Sequence, residues 1–253
     1  SKELDTTPPH DVPGQPFRPL LPKALAESAR PTAELLCSLI LRSQELLENH
    51  PVNQRRAAAG LDKANSIWPW SPGYRPQMEL LSSRFPQVRR GSVISAVDLI
   101  RGIGRYAGLR SIEVPGATGL YDTNYEGKAS AAIEALRSGD DFVFLHVEAS
   151  DEAGHEGDAA LKQRTIENLD ARIVGPVFRE VSQWTDEPVA MAVLPDHPTP
   201  CALRTHVGEP VPFLIYYPGI EPDDVSRYDE ASAVRGSYGL MKEDEFIREF
   251  MKH

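Results

Sequence analysis

Apolar positions along the chain follow two different rhythms. Between Thr32 and Asn49, Leu35, Leu36, Ile40, Leu41, Leu46 and Leu47 recur near helical spacing, which predicts a helix ended by His50-Pro51. His50 then reads as a helix C-terminal residue favoured by the dipole. A shorter helix is expected over Asn53–Ala59, stopped by Gly60. From about residue 64 short apolar runs alternate with amphipathic stretches. The runs predict strands at Ser66–Trp70, Ser92–Val97, Ser111–Val114, Phe142–Val147, Val189–Leu194 and Pro212–Tyr217, the first an edge or strand end because of Pro69. Helices are expected over Leu99–Ala107, Lys128–Arg137 and Asp158–Trp184, the last bent at Gly175-Pro176. Repeated strand–helix–strand units with apolar strands imply an α/β fold, a mainly parallel sheet covered on both faces.

Proline and composition change this picture at the N-terminus. Twelve of the 22 prolines fall within residues 1–86, so residues 5–22 read as an extended arm rather than a helix or central strand. The chain opens Ser1-Lys2-Glu3-Leu4 without an initiating methionine, and reads as a piece of a longer protein. With 41% hydrophobic residues in 253, it can bury a sizeable core. Lys+Arg 27 against Asp+Glu 37 leaves a net charge of −10, which argues against a nucleic-acid partner. An anionic substrate would need a local cation, such as a metal. No apolar run approaches the ~20 residues of a membrane span, and no membrane partner is expected. Cys37 and Cys201 form no CxxC pair, and no secretory leader is visible, so a reducing, cytoplasmic setting is expected.

In parallel sheets ligands bind beyond the carboxyl ends of the strands. There the chain gathers acids and imidazoles: Glu148 to Asp158 after one apolar strand, Pro195-Asp196-His197-Pro198 after the next, and Arg204-Thr205-His206 before the last. Asp151 and His155, four apart, share a face if their segment makes a helical turn. Asp196 and His197 are adjacent, and only a turning loop could splay them round one centre. Carboxylate with imidazole suits Zn²⁺, Mn²⁺ or Fe²⁺ better than Mg²⁺ or Ca²⁺. Each piece alone has an ordinary reading, as surface decoration, a turn or a hydrogen-bonded loop histidine; their conjunction after successive buried strands points to a metal. His146, inside an apolar strand, reads as a satisfied core histidine, and His253 as solvated. Arg75, following the strand at Trp68–Trp70, could clamp a phosphate or carboxylate. His10 and Asp11 could face a site from the arm. Arg55 and Arg56 read as solvated, Arg101 and Arg105 as paired with acidic neighbours, and Asp122, Glu126 and Lys128 as a possible loop network.

The stretches PPHDVPG, ENHPVNQRR, VISAVDLIRGIGRYAGL, VPGATGLYDTNYEGKA, HVEASDEAGHEGD and LPDHPTPCALRTHVGEPVPF resemble the archaeal-type cofactor-independent (2,3-bisphosphoglycerate-independent) phosphoglycerate mutases of the alkaline phosphatase superfamily. The resemblance runs from about Thr6 to the C-terminus. It implies an alkaline-phosphatase-like three-layer sandwich and the interconversion of 3-phosphoglycerate and 2-phosphoglycerate through a phosphoserine. It also implies two divalent ions, Mn²⁺ or Zn²⁺, and no 2,3-bisphosphoglycerate. Asp151, His155 and His206 match the ligands of one ion, and Asp196 and His197 match two ligands of the other. Ser150 stands where relatives commonly carry proline.

No serine here stands in the context of the family's nucleophile. Ser66, Ser150 and Ser232 read as ordinary loop or strand residues, and the nucleophile and one metal-binding aspartate are expected upstream. On this reading residues 1–62 are the end of an inserted lid-like domain and residues 63–253 the metal-binding catalytic domain. That domain would lack an opening strand, to be supplied by the missing segment or a second chain. A related phosphatase, phosphomutase or homoserine-kinase-like enzyme, or a non-catalytic metal-binding domain, would share the same ligands.

Overall fold

A computed structural model describes residues 1–9, 12 and 14–252; His10, Asp11, Pro13 and His253 lie outside the described residues. The chain divides into two compact units, Ser1–Gln77 and Met78–His253. Among the described residues no helix is long and apolar enough to cross a membrane.

In the first unit the proline-rich arm folds back on itself. β1 (Leu4–Asp5) pairs antiparallel with β2 (Lys23–Ala24), and a 3-10 turn at Arg18–Leu20 lies between them. α1 (Arg30–Glu48) starts at the first turn with Pro31, where a missing N–H costs nothing. α2 (Pro51–Ala58) follows after a break at His50-Pro51. His50 is not a C-terminal residue held by the dipole of α1. It caps the start of α2, its Nδ1 accepting the Val52 N–H at 3.3 Å. Buried Asn53 donates to the carbonyls of Leu47 at 2.7 Å and Ala64 at 2.6 Å, and accepts the Ala64 N–H at 3.0 Å. The strand expected at Ser66–Trp70 does not form. Pro69 cannot donate to a ladder, and Trp68 instead gives its indole N–H to the Thr7 carbonyl at 2.9 Å. Arg75 is exposed in the irregular stretch that follows.

The second unit opens with α3 (Leu81–Arg84) and builds a parallel sheet. β3 (Gly91–Ile94), α4 (Asp98–Tyr106), β4 (Arg110–Ile112), α5 (Tyr125–Arg137) and β5 (Phe142–Leu145) follow in turn, with strand order β4-β3-β5. Asn124 caps α5 by accepting the Gly127 N–H at 2.9 Å, so the helix starts before the expected Lys128. Val93 is in register with Phe144, and Ile94 with Leu145, so each pair shares a sheet face. α4 lies on the Val93 face, where Gly104 approaches so closely that an added Cβ would stand 2.5 Å from Val93 Cγ1. α5 lies on the other face, its Tyr125 and Ala129 packed with Leu145, Ala149 and Ile173. Helices therefore cover both faces, the expected three-layer arrangement.

The long helix expected over Asp158–Trp184 is three pieces. α7 (Ala159–Leu169) widens into a π turn at Asp170–Val174 and resumes as α8 (Gly175–Val181). Pro176 offers no N–H and its ring crowds the preceding turn, and the wider turn relieves it. The π turn brings Arg172 over the Tyr125 ring at 4.6 Å and onto the Glu126 carboxylate at 2.5 and 2.8 Å. β6 (Met191–Val193) and β7 (Leu214–Tyr216) follow as an antiparallel pair, separate from the parallel sheet among the described residues. That direction departs from the expected parallel arrangement at the last two strands. α9 (Glu230–Ala233) and α10 (Glu245–Phe250) close the chain.

Replacing Asn53 tests the joint between α1, α2 and the segment beyond them. Asn53→Ala would leave one buried N–H and two carbonyls without their partner. Urea unfolding is expected to show a loss of about 2–3 kcal/mol, and an unchanged midpoint would contradict this role.

Candidate metal centre

β5 ends at Leu145, and α6 (Ala149–Glu156) begins four residues later. Ala149 and Ala153, four apart and fully buried, seat α6 in the core. Asp151 and His155, also four apart, lie on another side of it, and Asp151 Oδ2 stands 3.3 Å from His155 Nε2. Gly157, at φ 74°, ends the helix in the left-handed region, and Asp158 caps α7 by accepting the Leu161 N–H at 2.8 Å.

The loop after β6 brings the other candidates to the same carboxylate. His206 Nε2 lies 3.3 Å from Asp151 Oδ1 and 3.0 Å from His155 Nε2. His197 Nδ1 lies 3.9 Å from Asp151 Oδ1, and its ring lies against that of His206, tilted by 38° with centroids 3.8 Å apart. Asp196 Oδ2 is 3.5 Å from His197 Nε2, and its Oδ1 accepts the His197 N–H at 3.0 Å. The structure thus gathers Asp151, His155, His206, Asp196 and His197. Asp196 is the most open of them, with 64% of its side chain exposed.

Gly154 lets loop and helix meet. A Cβ there would stand 2.4 Å from the Thr199 carbonyl oxygen and 2.9 Å from Thr199 Cγ2. Thr199 is 2% exposed; its hydroxyl donates to Asp151 Oδ1 and lies 3.3 Å from His197 Nδ1. Lys162 Nζ, from α7, donates to the Thr199 carbonyl at 2.6 Å. Arg204, at φ 57°, is a non-glycine residue in the left-handed region, and its carbonyl lies 3.0 Å from His155 Nδ1. A carbonyl only accepts, so Nδ1 carries the proton and Nε2 turns its lone pair toward Asp151 and His206.

These donors fit a divalent transition metal. Ligand atoms of Asp151, His155 and His206 all lie within 4.8 Å of one another. His155 Nε2 and His206 Nε2 are 3.0 Å apart, and each lies 3.3 Å from a different oxygen of the Asp151 carboxylate, Oδ2 and Oδ1 respectively, spacings of the order of the ~3.3 Å donor–donor edge around a tetrahedral ion with bonds of about 2.0–2.1 Å.

A second layer lies beneath, and the sequence reading missed most of it. His146 is more than a core histidine. Its Nδ1 is 3.2 Å from Ser95 Oγ at the end of β3, and its Nε2 is 3.3 Å from Glu148 Oε2 at the start of α6. Lys128, 1% exposed, donates to the His146 carbonyl at 3.3 Å, so it is a buried helix residue and not part of a loop network. Burial pushes the His146 imidazole below its usual pKa against the upward pull of Asp196 and Asp151. Burial also raises the Glu148 carboxyl, helped by Asp151 and Asp196, and lowers the Lys128 ammonium, opposed by Glu148. Glu126 instead pairs with Arg172, and Asp122 accepts from Thr118 Oγ1 at 3.0 Å. Arg101 pairs with Glu113 at 2.5 Å and Asp98 at 3.7 Å, the structural role expected of it. The His-x-Glu spacing of His146 and Glu148 was a readable signal; nothing local marks Thr199 or Lys162. Arg75 belongs to the first unit, and His10 lies outside the described residues.

Family models match almost the whole chain. The metalloenzyme superfamily matches residues 48–244, and the 2,3-bisphosphoglycerate-independent phosphoglycerate mutase model matches residues 1–53. A 2,3-bisphosphoglycerate-independent phosphoglycerate mutase of Methanosarcina acetivorans is 47% identical over 99% of this chain and 61% of its own length. The PH0037 protein from Pyrococcus horikoshii, a solved structure, superposes with a TM-score of 0.76 at 34% identity, over 89% of this chain and 57% of its own. A cofactor-independent phosphoglycerate mutase from Thermoplasma acidophilum, at 24% identity and TM-score 0.51 over 94% of this chain and 55% of its own, shows likeness of fold alone. The chain therefore spans about 60% of the length of the curated relatives it matches.

Gly154→Ala is expected to push the loop off α6 and cost about 1–3 kcal/mol in urea unfolding. Gly208→Ala, whose Cβ meets nothing within 4 Å, should stay within about 0.5 kcal/mol. Equal stabilities would contradict the close approach.

Proposed function

The chain belongs to the metalloenzyme superfamily, and from that premise we propose that it is the metal-binding part of a phosphoglycerate mutase interconverting 3-phosphoglycerate and 2-phosphoglycerate. The observation that carries the reading is the convergence of His155 from α6, and of His206 and His197 from the loop after β6, on the carboxylate of Asp151, with Asp196 beside them. In this reading Asp151, His155 and His206 hold one divalent ion and Asp196 and His197 contribute to a second, Mn²⁺ or Zn²⁺. When bound, such a pair supplies positive charge to the attacking and leaving oxygens of a phosphoryl transfer.

The chain's own residues set the frame for that chemistry. α6 presents Asp151 and His155 from a helix anchored in the core, so these two donors keep fixed spacing. The loop after β6 closes against α6 through Gly154 and Thr199, and this brings the second pair beside the first. The Arg204 carbonyl keeps the His155 proton on Nδ1, away from the centre. A net charge of −10 over these 253 residues gives no general attraction for a phosphorylated acid, and cations at the centre would supply it locally. The resemblance gives the nucleophilic serine no counterpart among these 253 residues, and residues 1–62 are assigned to the end of a lid-like domain, residues 63–253 to the catalytic domain. The reaction is a glycolytic step, which places it in the cytoplasm.

The test is an assay of the complete gene product on 3-phosphoglycerate with Mn²⁺ or Zn²⁺ and no 2,3-bisphosphoglycerate. Formation of 2-phosphoglycerate, abolished by a chelator and by Asp151→Asn, is expected; the 253 residues alone should form none. Absence of 2-phosphoglycerate with either metal would overturn the proposal.

A further inference from the structure

We propose that Thr199 is a positioning residue of the metal centre: its one hydroxyl fixes the Asp151 carboxylate and selects the tautomer of His197. The inference rests on the metal-centre reading above. A threonine hydroxyl has a single proton and can accept in addition. Its proton goes to Asp151 Oδ1, because an ionised carboxylate accepts only. Toward His197 Nδ1, 3.3 Å away, the hydroxyl oxygen can then only accept. Nδ1 of the imidazole therefore carries a proton toward the hydroxyl, and the Nε2 lone pair is the one left for a cation.

That lone pair lies where it is useful. His197 Nε2 faces Asp196 Oδ2 at 3.5 Å, so two electron-pair donors without a proton between them stand side by side. Such a pair is favourable round a cation and unfavourable without one. His155 follows the same logic with a different partner, its Nδ1 proton consigned to the Arg204 carbonyl. One hydroxyl thus reaches Asp151 from the first donor set and His197 from the second.

The position of this hydroxyl is overdetermined. Thr199 is 2% exposed, and the Lys162 ammonium from α7 holds its carbonyl at 2.6 Å. Its Cγ2 and carbonyl press on Gly154, so the branched side chain has little rotamer freedom. A residue serving only to fill space would not need its polar atom aimed between two ligands.

Thr199→Val keeps the shape and removes the hydroxyl; Thr199→Ser keeps the hydroxyl and removes the methyl. Both are to be made in the complete gene product, with Zn²⁺ titrated calorimetrically and the His197 tautomer read from ¹⁵N shifts of the Zn²⁺-loaded protein. Thr199→Val is expected to bind Zn²⁺ 10–100-fold more weakly, an order-of-magnitude range for such supporting contacts, and to lose the pure Nδ1–H tautomer. Thr199→Ser should keep the tautomer and bind within about threefold of wild type. Wild-type affinity and tautomer in Thr199→Val would overturn the assignment, as would a Thr199→Ser variant as impaired as Thr199→Val. A wild type that binds no divalent ion overturns the metal-centre reading and with it this role of Thr199, whereas a wild type that binds it while Thr199→Val matches it overturns the role of Thr199 alone.

Discussion

The candidate centre depends on how closely α6 can approach the loop after β6. Five donors come from two segments far apart in sequence, and the two segments touch where Gly154 lies under the carbonyl of Thr199. Any side chain at that point would hold the loop away and separate Asp151 from His206 and His197. The absence of a Cβ thus sets the spacing of donor atoms elsewhere. The rest of the arrangement supports that approach: Ala149 and Ala153 seat the helix, Lys162 holds the Thr199 carbonyl, and Gly157 turns the chain so that α7 can supply that lysine.

The electrostatics of the site follow from the donors it gathers. A carboxylate flanked by three imidazoles offers a cation one anionic and three neutral electron-pair donors. Partner contacts on the far side of His155 and His197 place protons away from the centre, which leaves lone pairs converging inward. Below them His146 and Glu148 join the ends of β3 and β5 to the start of α6, and the buried Lys128 ammonium holds the His146 carbonyl. Cationic charge under an acidic cluster offsets part of the repulsion among Glu148, Asp151 and Glu152, whose oxygens crowd within 4.8 Å.

What could be read from the chain alone follows from how local each feature is. The apolar runs at β3 and β5, and the Asp-x-x-x-His spacing on α6, are set within a few residues, and they appear where the pattern places them. Asp196-His197 was legible as a turning loop because three prolines surround it. Features that need a distant partner were not legible. Thr199 is ordinary in sequence and acquires its role only against Gly154 and Asp151. His50 lies between two helices, and only the capped N–H of Val52 shows which one it serves. The strand expected at Ser66–Trp70 fails because an indole N–H finds a carbonyl near the start of the chain, a contact no local rule contains. The antiparallel direction of β6 and β7 was hidden for the same reason, since apolar runs carry no sign of direction.

The central claim is that these donors hold divalent metal. The most direct measurement is anomalous X-ray diffraction from crystals of the complete gene product grown with Mn²⁺ or Zn²⁺, recorded on both sides of the metal's absorption edge. The account predicts one peak bonded to Asp151, His155 and His206 and a second bonded to Asp196 and His197. A map with no peak at these residues, or with metal bound only elsewhere, would contradict it.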